Sequence, residues 1–252
     1  GLSTDSGIPD YRGPDSPPRT PMTYQQFVSD SAFRRTYWAR NHVGWRHVHR
    51  TAPNAGHEAL ARMEERGLLT GVITQNVDRL HRRAGSRQVV DLHGTYADIV
   101  CLACGARSTR DALALRLEEL NPGVAEAAGT VADVEIAPDA DAVIASTEGF
   151  VVADCERCGG MLKPDIVYFG ESVPKDRVAR AFALVDEADA LLVAGTSLTV
   201  MSGLRFVKHA ARTDRPVVLV NRGATRGDDL ATVRIDAGTT PTLLALDAAL
   251  GR

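Results

Sequence analysis

Ala190-Leu191-Leu192-Val193-Ala194-Gly195-Thr196-Ser197 decides the fold. A short continuous apolar run closed by a Gly-Thr-Ser turn is the pattern of a strand buried on both faces of a parallel sheet. Val217-Val218-Leu219-Val220 repeats it and ends in Asn221-Arg222-Gly223, and the intervening Leu204 to Arg212 reads as a short helix. Earlier in the chain, Val72-Ile73-Thr74 runs into Gln75-Asn76-Val77-Asp78, and Val89-Val90-Asp91-Leu92 into His93-Gly94. Helical patterns flank these strands. Asn54 to Arg66 has a Pro-Asn start and Gly67 as its stop, Asp176 to Asp189 puts Val178, Phe182, Val185 and Ala188 on one stripe, and Pro241 to Leu250 follows Thr239-Thr240. Strand and helix in alternation imply an α/β fold built on a doubly wound parallel sheet.

The remaining stretches are read by their departure from that rhythm. Residues 14 to 21 carry Pro14, Pro17, Pro18 and Pro21, enough for a stiff loop. Tyr24, Phe27, Phe33, Tyr37, Trp38 and Trp45 recur at loosely helical spacing and predict a small helical module. From Ile99 to Pro164 the alternation breaks, and all four cysteines fall in this insertion. No internal repeat is present.

Composition limits the function classes. With 252 residues, 44% hydrophobic and 24% charged side chains, and a mean hydropathy of -0.13, a folded chain is expected, one large domain with a smaller satellite. The net charge of -3, from 29 basic and 32 acidic residues, gives no general reason to bind nucleic acid or an anionic membrane, and neither partner is expected. No apolar run approaches the length of a membrane span. The chain opens inside a glycine-rich loop with no apolar strand before it, so an upstream segment is expected and the absence of a targeting signal assigns no compartment. A bacterial source would make the protein cytoplasmic; a mitochondrial address stays open on account of the expected upstream segment.

Cys101-Leu102-Ala103-Cys104-Gly105 and Cys155-Glu156-Arg157-Cys158-Gly159 are two C-x-x-C-G knuckles with no cysteine left over. A two-residue gap lets both thiolates of a knuckle reach one ion, and the following glycine permits the tight turn, so Cys101, Cys104, Cys155 and Cys158 are the expected ligands of one tetrahedral zinc. Free core cysteines or two disulfides are the competing readings, and the duplicated knuckle spacing disfavours both. Four thiolates leave zinc no open position, which makes the metal structural.

In an open parallel sheet, ligands gather outside the carboxyl ends of the strands. Gly195, Thr196 and Ser197 offer small side chains and free N–H groups to a phosphate or ribose there, and Asn221 suits a ribose hydroxyl.

Taken in order, Gly1–Gly13, Thr74–His81, Asp91–Gly94, the two knuckles, Leu162–Glu171 and Gly195–Leu198 resemble the sirtuins over essentially the whole chain. The first motif departs from the family pattern: its usual Gly-Ala-Gly opening is present only as Gly1. Arg35–Trp45, the long stretch between the knuckles and Thr199–Gly203 look like the class II branch, which holds the animal mitochondrial lipoamidase-type sirtuin. The resemblance implies an NAD-dependent protein lysine deacylase acting on acylated protein lysines. It also implies a Rossmann-like domain at 1–98 and 165–252, carrying the helical module at 14–56, with a small zinc-ribbon domain inserted at 99–164.

The same resemblance implies roles. The acyl oxygen of the substrate attacks the ribose carbon that bears nicotinamide, which leaves; His93 serves as the base that activates a ribose hydroxyl to capture the resulting imidate, and water then completes the release of free lysine and O-acyl-ADP-ribose. Asn76 and Asp78 grip the nicotinamide carboxamide, Gln75 the reacting ribose, and Tyr11, anchored by Asp10 and Arg12, shields the sugar; Tyr replaces the commoner Phe. Gly1, Ser3, Gly195, Thr196, Ser197, Asn221, Arg222, Gly223 and Thr239 complete the dinucleotide site. Val167, Tyr168, Phe169 and Gly170 pair with the substrate peptide as an added strand, with Val200–Gly203 on its other side. Tyr37 and Arg40 have the three-residue spacing of relatives that prefer acidic acyl chains, so Arg40 is the candidate for an acyl pocket favouring longer or carboxylated groups such as lipoyl. Two rival functions fit the same residues in part. A protein ADP-ribosyltransferase would use the same site and leave a labelled protein, while a non-enzymatic zinc-ribbon module would leave Gln75, Asn76, Asp78 and His93 unexplained.

Overall fold

The computed structural model describes residues 1–9, 20–127, 142, 144 and 146–251. Among these the helices are α1 (Tyr24–Ser29), α2 (Ser31–Arg50), α3 (Ala55–Glu65), α4 (Leu80–Arg83), α5 (Arg110–Leu120), α6 (Val124–Ala127), α7 (Lys175–Glu187), α8 (Met201–Arg212) and α9 (Thr239–Leu250). The strands are β1 (Val72–Thr74), β2 (Val89–Asp91), β3 (Gly94–Cys101), β4 (Arg107–Thr109), β5 (Leu162–Ile166), β6 (Leu191–Ala194), β7 (Val217–Val220) and β8 (Val233–Ile235). A 3-10 turn spans Leu2–Ser6. No described helix is long and apolar enough to cross a membrane.

The chain divides into two compact units. The first comprises Gly1–Gly7, Ala52–Leu92 and Val173–Arg252 and holds the parallel pairs of named strands among the described residues. β1 pairs with β2 (Val72 opposite Val89), and β6-β7-β8 form a second parallel ladder (Leu191 opposite Val217, Val218 opposite Val233). The expected strands are therefore present, with one difference. β7 is mostly buried, whereas β6 is half-buried along its length, because β7 is the central strand of its ladder and β6 an edge. Leu204, Phe206 and Val207 of α8, Ala181 and Val185 of α7, and Val90, Leu92, Val217 and Leu219 form one core, each large side chain contributing about 1.5–3 kcal/mol by leaving water. Leu2, Ala59, Leu60, Met63 and Leu243 form a second, which packs α3 on α9. Asp247 on α9 accepts from Arg62, 2.8 Å away, and from Arg66, which pins that pair of helices at its rim.

Asn54 caps α3, accepting from the N–H groups of Gly56 and His57, as its Pro-Asn start predicts. α8 begins at Met201 and α9 at Thr239, each earlier than the apolar spacing indicates. Pro241 is accommodated because the first helical turn needs no N–H from it.

The second unit comprises Ile8–Thr51 and His93–Ser172. Its sheet, in the order β4-β3-β5, is antiparallel (Ile99 opposite both Ser108 and Pro164). Pro164 is tolerated because β5 is an edge strand. The compact units draw the boundary differently from the expected 99–164 insertion: the aromatic helical module groups with the cysteine-bearing segment. The reason is packing. Phe27 and Tyr37 stack on Tyr168, with ring centroids 5.2 and 5.4 Å away, and the buried guanidinium of Arg110 on α5 lies over Trp38 and Trp45 at 5.7 and 5.3 Å.

Candidate functional site

In the first unit the polar residues after β1 meet the opening turn of the chain. Ser3 is buried, and its hydroxyl donates to Asp78 Oδ2 at 2.7 Å while accepting from Asn76 Nδ2 at 2.9 Å. Asp78 Oδ1 accepts from the N–H of Leu80 at 2.9 Å, so the Ser3 and Asp78 side chains are each held from two directions, while Thr74 Oγ1 accepts from the backbone N–H of Asn76 at 3.1 Å. Asn54 reaches the same turn, donating to Leu2 O and Ser6 Oγ at 2.9 and 3.0 Å.

Gln75 connects this cluster to the end of β6, where Thr196 Oγ1 donates to Gln75 Oε1 at 3.3 Å. Gly195, at φ 67, passes so close to the opening turn that a Cβ there would lie 2.9 Å from both Leu2 N and Thr239 Oγ1; a Cβ on Gly1 would lie 2.7 Å from Gly195 O. Gly1, Ser3, Gln75, Asn76, Asp78, Gly195, Thr196 and Thr239 are thus linked through one continuous set of contacts. Ser197 is less constrained, its hydroxyl 2.9 Å from Thr199 Oγ1. Asn221 spends its amide on its own turn, donating to Arg222 O and Gly223 O at 2.9 and 3.2 Å, while Gly223 N donates to Asp236 at 3.1 Å. These turns follow β6 and β7, whose parallel pairing puts Ala194 opposite Val220 and so sets both turns at one end of that ladder. Asp10, Tyr11 and Arg12 lie outside the described residues.

One residue gained a new place. Gly203, in the first turn of α8, stands against Gln75: a Cβ there would lie 2.9 Å from Oε1. In the sequence Gly203 precedes the expected helix at Leu204 and, by the resemblance, belongs to Val200–Gly203 beside the peptide; neither signal points to Gln75. Two histidines behind the cluster are buried and face each other edge to face, with His57 and His81 ring centroids 4.8 Å apart. Burial pushes the His57 imidazole down to about 3, and burial likewise lowers His81 despite the nearby Asp78 and Asp91 carboxylates.

In the second unit the four thiols converge. Their sulfurs lie within 4.8 Å of one another, with Cys101 and Cys158 3.6 Å apart and Cys104 and Cys155 3.9 Å apart. A tetrahedron of zinc–sulfur bonds near 2.3 Å has edges of roughly 3.8 Å, so the four sulfurs fit that ion, and every cysteine is free of disulfide bonds. The knuckles are formed by Gly105 N donating to Cys101 O at 3.0 Å and Gly159 N to Cys155 O at 2.7 Å. A Cβ on Gly160 would lie 3.1 Å from the sulfurs of Cys101 and Cys158, so a larger residue would press on the ligands. The backbone N–H of Cys104 draws the Cys101 thiol down to about 6, toward the thiolate a metal requires; Cys158, bonded to the Cys104 thiol, is pushed up to about 12, since four adjacent sulfurs cannot all ionise without a cation among them.

His93 opens the second segment of this unit, and its carbonyl accepts from Val167 N at 2.8 Å. Tyr168 is buried in the aromatic cluster, Phe169 is exposed, and Gly170 makes the turn at φ 80. Thr23 and Phe169 form a parallel bridge, with Tyr24 N donating to Phe169 O at 2.9 Å. Arg40 is half-buried, and its Nε donates to Ala142 O at 2.8 Å.

A family model described as the Sir2 family matches residues 1–202. An NAD-dependent protein deacetylase 1 of Mycobacterium avium (strain 104) is 63% identical over 246 residues, covering 98% of this chain and 87% of that protein. A protein of the same description from Streptomyces coelicolor is 52% identical over 255 residues, covering 100% of this chain and 84% of its own. Among solved structures, one from work on sirtuin substrate affinity superposes with a TM-score of 0.76 at 28% identity, covering 99% of this chain and 89% of that one. A Sir2–p53 peptide–NAD+ complex gives 0.69 at 30% identity, covering 99% and 90%.

Proposed function

We propose, since the chain belongs to the Sir2 family, that it is an NAD-dependent protein deacylase acting on acylated lysines of proteins. The observation that carries the reading is the Ser3–Asn76–Asp78 network joined through Gln75 to Thr196: amide, carboxylate and hydroxyl groups held rigidly at the strand ends where a dinucleotide binds.

When bound, NAD supplies an activated ribose carbon that accepts the acyl oxygen as nicotinamide leaves. The protein's part is orientation and proton movement. Asn76 and Asp78 are assigned to the carboxamide, because a fixed amide and a fixed carboxylate complement its acceptor and donor. Gln75 is assigned to the ribose, and the close approach of Gly1 and Gly195 to the phosphates. Ser197, Asn221, Arg222, Gly223 and Thr239 complete that assignment, as do Asp10, Tyr11 and Arg12. His93 is assigned as the base, since an imidazole exchanges protons near neutral pH. The first compact unit is accordingly the dinucleotide-binding domain. Cys101, Cys104, Cys155 and Cys158 would hold a zinc that shapes the second unit and takes no part in proton transfer.

Acyl preference is a finer part of the proposal. Arg40 is assigned to the acyl pocket, supported by its half-buried guanidinium one helical turn from the buried Tyr37, and it would favour longer or carboxylated chains such as lipoyl. Placement in the class II branch rests on Arg35–Trp45 and Thr199–Gly203. The bacterial relatives support a cytoplasmic location.

Mass spectrometry of the products from NAD and an acetyl-lysine peptide tests the core reading. Nicotinamide and O-acetyl-ADP-ribose should appear in equal amounts, and His93→Ala should abolish both. A protein carrying labelled ADP-ribose, with the acyl group still on lysine, would replace the reading with a transferase.

A further inference from the structure

Lys163 lies on β5, opposite Val100 in the ladder, with its side chain 3% exposed. A buried ammonium is costly unless its donors find acceptors, and this one does. Nζ donates to Pro164 O at 3.2 Å and to Ile166 O, and it pairs with Glu171 Oε2 at 3.1 Å. It also lies 5.0 Å from the centroid of the Tyr168 ring. The partners bracket one segment, since Ile166 is the residue before Val167 and Glu171 the residue after Gly170. Glu171 extends the grip inward: its Oε2 also accepts from Tyr168 N at 2.9 Å, and its own N–H donates to Tyr168 O at 3.0 Å.

We infer that Lys163 is a positioning residue for the peptide-reading segment, holding Val167–Gly170 in register from both of its ends through Ile166 O and Glu171. This rests on the deacylase reading, which makes the segment a template for an added strand. Strand addition depends on backbone N–H and C=O groups at fixed spacing, so a template that can slip loses its partner's hydrogen bonds. A buried ion pair adds little net stability over an apolar pair of the same shape, and what it supplies is one defined geometry. Aromatic packing of Tyr168 on Phe27 and Tyr37 secures the ring, and Tyr24 N and Gln25 Nε2 donate to Phe169 O and Gly170 O at 2.9 and 3.4 Å; the Lys163–Glu171 clamp adds the fixed spacing between the two ends of the segment.

The test compares wild type with Glu171→Gln, which keeps the shape and removes the charge, and with Lys163→Met. Binding of a fluorescein-labelled acetyl-lysine peptide is read by anisotropy, and the KM for NAD by turnover. The expected result is a peptide Kd raised tenfold or more in Lys163→Met and severalfold in Glu171→Gln, with the NAD KM within twofold and the zinc content unchanged. Unchanged peptide affinity in both variants overturns the inference, as does a rise in NAD KM matching the loss of peptide affinity. If the wild type itself binds no acetyl-lysine peptide, the deacylase reading fails first and this inference with it.

Discussion

The Ser3 hydroxyl and the Asp78 carboxylate, 75 residues apart in sequence, meet at 2.7 Å, and the same hydroxyl receives the Asn76 amide. A single small side chain thereby sets the orientation of two larger ones. Neither Asn76 nor Asp78 can rotate without breaking a bond to Ser3.

Replacing that hydroxyl should uncouple the two. Hydrogen bonds to a charged group are worth about 1.5–3 kcal/mol, so Ser3→Ala is expected to weaken NAD binding by roughly 10- to 100-fold. Calorimetric titration with NAD measures it. Wild-type affinity in the variant would mean that Asn76 and Asp78 are oriented by something else.

Gly203 gives a prediction in which stability and binding move in opposite directions. Ala gains up to about 1 kcal/mol of helix propensity over Gly, less in a first turn, and the new methyl meets only the end of the Gln75 side chain, so Gly203→Ala should leave the melting temperature unchanged or raise it slightly. Its methyl would displace the Gln75 amide from its place beside Thr196, and the KM for NAD should rise severalfold. A variant as stable as wild type with an unaltered KM would remove Gln75 from the ribose assignment.

The thiol cluster predicts a metal-dependent unit. One zinc per chain is expected by elemental analysis, and Cys158→Ser should lower that stoichiometry. Prolonged chelation should expose Tyr96 and Trp38, both buried in the second unit, and shift the tryptophan emission to the red. Unchanged fluorescence after complete removal of zinc would contradict a structural role.

His57 and His81 make the protein acid-sensitive in a defined direction. Both imidazoles titrate lower in the folded state than the ordinary 6.5, so between those values the unfolded chain binds more protons. Their contribution to stability is complete above about pH 6.5 and is lost as the pH falls toward 3, the range set by His57. Urea midpoints should therefore drop from pH 7.5 to pH 5, and the drop should be smaller in His57→Gln. An equal drop in the variant would assign the acid sensitivity to other groups.

The acyl-pocket assignment is tested with acetyl, lipoyl and glutaryl peptides. Arg40→Ala should reduce turnover of the glutaryl peptide at least tenfold relative to acetyl, since the cation that would pair with its carboxylate is gone. An unchanged order of preference would release Arg40 to a purely structural bond with Ala142 O.

Much of this was readable in the sequence because the signals are local. The apolar runs at 72–74, 89–92, 190–194 and 217–220, the capping Asn54 and the two knuckles each declare themselves within a few residues, where periodicity, turn chemistry and ligand spacing operate. What remained hidden depends on residues far apart in the chain. The antiparallel sheet of β3, β4 and β5 has no alternating pattern strong enough to announce it, and Pro164 argues locally against a strand that its edge position permits. The helical module carries its own aromatic spacing, but contacts to residues far downstream, Tyr168 and Arg110 among them, decide which unit it joins. Nothing local to Lys163 announces its burial; only the packing of β5 sets its ammonium beside Pro164 O, Ile166 O and Glu171. The amino-acid order by itself determined the parallel strand–helix alternation and the metal ligands, since both follow from backbone period and short-range geometry. The assignment of each polar side chain to its partner was left to the tertiary structure, because hydrogen bonds and ion pairs form only between groups that the packing of distant segments brings within about 3 Å.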